Sequence, residues 1–289
     1  MWRELSVVIV SYNTLELTKR SVERLLVSHI PEIIVVDNAS TDGSREWLKT
    51  LGEPIHSILS PENLGFAGGC NLGIQHARGE AVLLLNTDAF PKRGALKTLV
   101  TYLDEHPDVG IAGPQLLYPD GRWQRSTGLV PSPWSAFYDA IGLTSVGHVV
   151  ASLGWRVIKY GQHPRPVGYI DGACMLIRRQ VIETVGGFDE RFFFFVEDAE
   201  FCARARKMGW EVMLVPESQV VHIRGGSSSK KDYEGTVRTR IKSERTFLIS
   251  SQGEKAWERF VFWRRFNFWW RMQAAKLIGD EARYLRYQA

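Results

Sequence analysis

Cysteine is scarce in this chain: Cys70, Cys174 and Cys202 are the only three in 289 residues, an odd number with no CxxC spacing. That excludes a disulfide scaffold and a cysteine zinc site, and fits buried thiols in a reducing compartment. Long apolar runs are also missing, since no stretch approaches the ~20 residues a spanning helix needs. Residues 5–10 are apolar, but the run is too short for the core of a secretory signal, and no small-residue cleavage site follows it. A soluble or peripheral protein is expected. Charge of one sign is modest, with a formal net charge of +4, so composition makes no case for nucleic acid as a partner. The remaining bulk, 44% hydrophobic and 24% charged, suits one large α/β domain with an appendage.

The first half alternates. Apolar, β-rich runs at 5–10, 33–36, 55–59 and 81–85 have the character of strands buried on both faces. Helical spacing falls between them at 15–28, 43–51 and 68–77, and again at 92–106. Strand and helix in alternation predict βαβ units and a mostly parallel sheet. Residues 114–166 are rich in Gly, Pro, Trp and Tyr and read as long loops and short helices over that sheet. Order returns over 167–178, with a helix at 198–208 and strands near Val212 and Val220. Residues 225–231 read as a flexible basic loop, and helical stretches at 236–250 and 254–276 end the chain. The expected division is a domain over 1–235, with halves 1–113 and 114–235, and a helical, aromatic and basic extension over 236–289.

Three polar clusters close predicted strands: Ser11-Tyr12-Asn13, Asp37-Asn38-Ala39-Ser40 and Asn86-Thr87-Asp88. Ligands of open parallel sheets bind beyond the carboxyl ends of the strands, so three such clusters on one rim favour a nucleotide site. Each residue alone has a plainer explanation, because Asx and Ser also cap helices and form turns.

These clusters, with the string Asn63-Leu-Gly-Phe-Ala-Gly-Gly-Cys-Asn71, resemble family 2 of the glycosyltransferases, and within it bacterial rhamnosyltransferases. The resemblance runs from about residue 5 to 222 and implies the GT-A fold, a Rossmann-like sheet flanked by helices. It implies that Ser11, Tyr12, Asn13 and Asp37 hold base and ribose, and that Asn63 and its glycine-rich run line the nucleotide. Asn86 and Asp88 then stand at the ends of a DxD-type element whose last carboxylate meets a divalent cation, Mg²⁺ or Mn²⁺. Asn86 replaces the first acidic residue of that element and removes one charge. His222 matches a position where the family often has a metal-binding His, while a single His at an apolar strand end is more often structural. Asp171, in Asp171-Gly172-Ala173, matches the segment beneath the donor sugar. Asp198, in Glu197-Asp198, matches the general base of an inverting transfer. A plainer alternative is that Glu197 and Asp198 only complement a helix N-terminus. Arg224, Lys230 and Lys231 are expected to close over the diphosphate.

The partners that follow are a dTDP- or UDP-linked sugar, with dTDP-rhamnose preferred, and a glycan or lipid-linked glycan acceptor. A nucleotidyltransferase and a non-catalytic nucleotide-sugar-binding protein are the readings outside the class. Between Trp257 and Trp270, eight of fourteen residues are Trp or Phe, interleaved with Arg259, Arg264 and Arg265 and followed by Arg271 and Lys276. Such a helix over 257–276 suits the membrane interface. Packing on the domain and a homodimer contact rich in Trp and Arg compete with that reading. The expected setting is the cytoplasm, with the inner face of the cell membrane as the place such a helix would take it.

Overall fold

Short runs of Val, Ile and Leu build the sheet, and their alternate side chains enter two different layers. The computed structural model describes residues 5–142, 163–223 and 233–277. In chain order the elements begin with β1 (Leu5–Ser11), α1 (Leu15–Val27), β2 (Glu32–Asp37), α2 (Ser44–Leu48), β3 (Ile55–Leu59), α3 (Gly65–His76) and β4 (Ala81–Leu85). Next come β5 (Ala89–Pro91), α4 (Ala95–Glu105), β6 (Val109–Leu117), β7 (Thr127–Gly128) and α5 (Pro133–Ala140). Then follow β8 (Arg165–Pro166), β9 (Tyr169–Ile170), β10 (Cys174–Arg178), α6 (Arg179–Val185), α7 (Glu197–Lys207), β11 (Glu211–His222), α8 (Tyr233–Gln252) and α9 (Glu254–Leu277). The chain divides into two compact units, Met1–Gly128 with Gln162–Ser243 and Leu129–Gly161 with Glu244–Ala289. The expected boundary near residue 235 falls close to the start of α8, whereas the units part between Ser243 and Glu244, inside that helix.

In the first unit the sheet runs β3-β2-β1-β4-β10-β6-β11-β5, with β8 beside β11. The strands β1 to β4 pair in parallel. β10 enters antiparallel between β4 and β6, and β11 runs parallel to β6. Val7 and Ile9 of β1 face Val22 and Leu25 of α1 and Leu99 and Leu103 of α4. Val8, one residue out of phase, joins Ile34, Val36, Ala67, Cys70 and Phe201 on the opposite face. Each fully buried aliphatic side chain contributes roughly 1.5–3 kcal/mol, and burial on both faces makes the strands read as unbroken apolar runs.

The glycines of α3 serve that packing. A Cβ at Gly73 would lie 2.3 Å from a methyl of Val8, and one at Gly69 would lie 2.7 Å from a methyl of Val10. Gly68 and Gly69, part of the run expected to line the nucleotide, thus sit inside a helix pressed on the sheet. Gly65 has φ +73°, and a Cβ there would meet the Phe193 carbonyl at 2.4 Å.

Residues 109–117 form a central strand that periodicity does not predict. Gly110 and Gly113 interrupt its apolar pattern because Trp210 and Ile170 occupy the space their side chains would fill. Pro114 sits where the pairing with β11 becomes irregular, between Val215 and Gln219. The two strands expected near Val212 and Val220 are accordingly one bent strand, β11.

In the second unit, α5 begins with a reciprocal cap between Ser132 and Ser135 and with Pro133 at its first turn. Phe137 of α5 meets Trp263 of α9 edge to face at 4.7 Å. Arg264 pairs with Glu244 at 3.4 Å. Phe262, Phe268, Trp269 and Trp270 of α9 stay exposed. Among the described residues, no helix is long and apolar enough to cross a membrane.

Candidate active site

β1 and β2 end in register, with Ser11 opposite Asp37. Asp37 is fully buried. Its Oδ2 accepts from Arg45 Nη1 at 2.9 Å and from the Ser40 N–H at 3.1 Å, while the same guanidinium nitrogen donates to the Ser60 carbonyl at 2.7 Å. Asp37 Oδ1 is buried with no protein donor. Such an acceptor costs about 1–3 kcal/mol, which a ligand N–H or O–H would recover.

Around it the polar residues divide by task. Ser11 Oγ is buried and lies 2.9 Å from the Thr18 hydroxyl, inside the protein. Asn13, at φ 52°, accepts from the Thr41 N–H at 2.7 Å and donates its own N–H to Ser40 Oγ at 2.9 Å, tying two loops together. Tyr12 between them is exposed. Asn38 spends both amide atoms on the start of α3, accepting from the Leu64 N–H and donating to the Gly65 carbonyl. Asn63 Oδ1 accepts from the Gly65 N–H at 3.0 Å, an Asx turn leading into that helix.

The second half of the unit is bonded to the same rim. The Phe66 N–H donates to the Phe193 carbonyl at 2.8 Å, and the Asn86 N–H donates to the Ala173 carbonyl at 3.0 Å. Asp198, half-buried at the start of α7, accepts from the Gly172 N–H at 3.2 Å and from the Ala199 N–H at 2.7 Å. Burial first, and the carboxylate of Asp171 second, push Asp198 up to about 7 against the two backbone donors. Glu197 is buried with Oε2 lacking a donor, and burial and Asp198 drive its carboxyl well upward. Tyr169 is pushed up to about 12 by burial and by Asp198. Phe195 and Val196, immediately before the acidic pair, have φ 69° and 73°. That region is unfavourable for a β-branched residue, and such strain gathers where a site over-determines the backbone.

Asp88 and His222 meet on the same rim. Asp88 is fully buried, and its Oδ1 lies 3.3 Å from His222 Nε2. The Ile223 N–H donates to the Asp88 carbonyl at 2.9 Å, fixing the end of β11 against this residue. On the far side of the ring, His222 Nδ1 is 2.6 Å from Gln124 Oε1. The two side chains could supply one oxygen and one nitrogen to a hard or borderline cation, leaving other positions for water and phosphate oxygens. Among the described residues, no group of three or more His, Cys, Asp or Glu is arranged to hold a metal by itself.

A family model for glycosyl transferase family 2 matches residues 6–186, more than half of the chain. The chain belongs to glycosyl transferase family 2. This glycosyltransferase is 29% identical over 257 residues to a low-salt glycan biosynthesis hexosyltransferase of Haloferax volcanii, covering 87% of this chain and 76% of that protein. It is 27% identical over 238 residues to an N-acetylglucosaminyl-diphospho-decaprenol L-rhamnosyltransferase of Mycobacterium tuberculosis, covering 78% and 76%. Its fold resembles that of a Pyrobaculum calidifontis mannosyltransferase solved with GDP-Man and Mn²⁺, with TM-score 0.57, 19% identity, and 95% and 75% of the two chains covered. The expected GT-A fold and the resemblance to bacterial rhamnosyltransferases therefore hold.

Several residues of the candidate site were not legible in the sequence. Arg45 lies in a short helix, and Gln124 in a region without periodicity. Asp171 was expected near the sugar, but its charge on Asp198 comes from a chain separation of 27 residues that no spacing rule covers. Arg224, Lys230 and Lys231, expected as a lid, lie outside the described residues.

Proposed function

We propose that this glycosyltransferase is inverting and moves L-rhamnose from dTDP-rhamnose to a hydroxyl of a glycan or lipid-linked glycan in cell-surface polysaccharide synthesis. The observation that carries the chemistry is Asp198, a carboxylate held by two backbone donors and raised to about 7. A base matched to neutral pH takes the acceptor hydroxyl proton as that oxygen forms its bond to the anomeric carbon. The bond from that carbon to the diphosphate breaks on the opposite face, so the anomeric configuration inverts. Asp37 Oδ1 and Tyr12 receive the nucleoside, with Asn13 and Asn63 shaping the loops around it and Ser11 supporting them from inside. Asp171 holds a sugar hydroxyl, and Asn86 binds the ribose or a metal-bound water. Asp88 and His222 hold Mg²⁺ or Mn²⁺, which supplies charge neutralisation for the leaving diphosphate. The L-rhamnosyltransferase relative supports the donor sugar. The hexosyltransferase relative supports a UDP-linked hexose or galactofuranose as the rival.

The test is a thermal-shift screen of dTDP- and UDP-sugars with and without Mn²⁺ or Mg²⁺, followed by product analysis. A ligand that binds only the folded state raises stability by about 2.7 kcal/mol at a hundred times its Kd. A metal-dependent shift with dTDP-rhamnose and release of dTDP are expected. A shift and transfer with a UDP-sugar alone would move the donor to the rival. Pyrophosphate release would indicate a nucleotidyltransferase, and binding without transfer a non-catalytic protein.

The catalytic domain of this reading is residues 1–235, and the extension 236–289 brings it to the inner face of the cell membrane. Exposed Phe262, Phe268, Trp269 and Trp270 on a helix with five basic and no acidic residues from 259 to 276 support the membrane contact. Co-sedimentation with anionic but not zwitterionic vesicles is expected, and a stable dimer that leaves vesicles unbound would replace this reading with the homodimer.

A further inference from the structure

The pairing between Gln124 and His222 is doubled, and the doubling determines where a proton sits. Gln124 is buried and fixed by its backbone, which donates to the Leu116 carbonyl at 2.9 Å and accepts from Gln115 Nε2 at 2.9 Å. Its side chain meets His222 twice. Gln124 Nε2 donates to the His222 carbonyl at 3.2 Å, and Gln124 Oε1 lies 2.6 Å from His222 Nδ1. A carbonyl oxygen can only accept, so the amide nitrogen must face it and the amide oxygen must face the ring. An amide oxygen can only accept in turn, so Nδ1 carries the hydrogen. In the neutral ring the other nitrogen, Nε2, then bears a lone pair, and it points at Asp88 Oδ1 from 3.3 Å. Two acceptors so placed repel unless a cation or a proton lies between them.

We propose that Gln124 is a positioning residue: it holds His222 in the Nδ1–H tautomer and thereby presents the Nε2 lone pair beside the Asp88 carboxylate as one side of a cation site. The proposal rests on the reading that Asp88 and His222 hold a divalent cation. Without Gln124 the ring is free to carry its hydrogen on Nε2 and donate it to Asp88, which takes the Nε2 lone pair away from the cation site. The pair is separated by 98 residues, and its partners come from β11 and the segment after β6.

The test needs no turnover. Histidine ¹⁵N shifts of the metal-free protein at mildly alkaline pH report which ring nitrogen of His222 carries hydrogen, and a Mn²⁺ titration followed by electron paramagnetic resonance reports affinity. In the wild type a protonated Nδ1 and a bare Nε2 are expected. In Gln124→Met the hydrogen moves to Nε2, and Mn²⁺ affinity falls by roughly 10–100-fold, the usual effect of losing the partner that orients a metal-binding His. Hydrogen on Nε2 in the metal-free wild type would overturn the proposal, and so would unchanged Mn²⁺ affinity in folded Gln124→Met. If Gln124→Met does not fold, the wild-type shifts still decide. A wild type that shows the Nδ1–H tautomer but binds no Mn²⁺ would sink the cation reading and leave the role of Gln124 standing.

Discussion

Asp37 closes β2 with an arginine against it, whereas Asp198 opens α7 with another carboxylate, Asp171, as its strongest charged neighbour. Both sit on the same rim of the first unit. Asp37 is paired with Arg45 and keeps one oxygen free of protein donors, which suits a group that binds a ligand. Asp198 has only backbone N–H groups to stabilise its charge, and burial works against them. A carboxylate in that position exchanges a proton near neutral pH. In the proposed reading the fold separates holding from reacting by what stands next to the same functional group.

The largest expected effect breaks this comparison at its reacting end. Asp198→Asn should lower kcat by about 10²–10⁴-fold, the usual contribution of a positioned base, while leaving donor affinity intact in calorimetry. The pH behaviour sharpens the same point. With Asp198 at about 7 against an ordinary 3.8, the folded protein binds its proton more tightly than the unfolded chain between those values. Stability should therefore fall as pH rises through that window, and Asp198→Asn should remove that part of the slope in thermal melts. Activity should move oppositely, with kcat/KM rising as Asp198 ionises near pH 7.

Next in size is the holding end. Arg45→Met leaves Asp37 buried without its cation and should cost on the order of 3 kcal/mol in chemical denaturation, as expected when one partner of a buried pair is removed. Equal stability in Arg45→Met and wild type would mean that the pair is dispensable. Asp88→Asn should then abolish the Mn²⁺-dependent part of the thermal shift while leaving the metal-free melting temperature within a few degrees, because an amide keeps the shape and loses the charge. The smallest effect lies beneath both ends. Gly73→Ala forces a methyl to within 2.3 Å of Val8 and should destabilise by about 1–3 kcal/mol without altering the pH profile.

Much of the parallel half was readable because β1, β2 and β4 are buried on both faces and lead into polar residues, Ser11, Asp37 and Asn86. The Val and Ile of β1 and β2 announce burial, and Asp37 and Asp88 fall where such strands deliver ligand contacts. β6 was not readable, because Gly110 and Gly113 make room for Trp210 and Ile170, and those neighbours are distant in sequence. The same limit applies within the site. Glu197 is the adjacent residue in the chain, yet the charge that counts most for Asp198 is that of Asp171, brought close through Gly172. Asn38 lies in one of the three polar clusters, and its bonds to Leu64 and Gly65 show that it braces α3. Periodicity reports which face a residue takes; it does not report which distant residue it meets there.

Phe195 and Val196 hold left-handed backbone just ahead of Glu197 and Asp198, in a conformation that glycine would adopt at less cost. A glycine at Val196 would relax the native chain locally but also give the unfolded chain more freedom to lose and loosen the turn that aims the acidic pair. In the proposed reading, an easily formed turn and an accurately aimed Asp198 are therefore competing demands at this one residue. A screen for stabilised variants that reads only melting temperature would be blind to the side of that contest the cell needs.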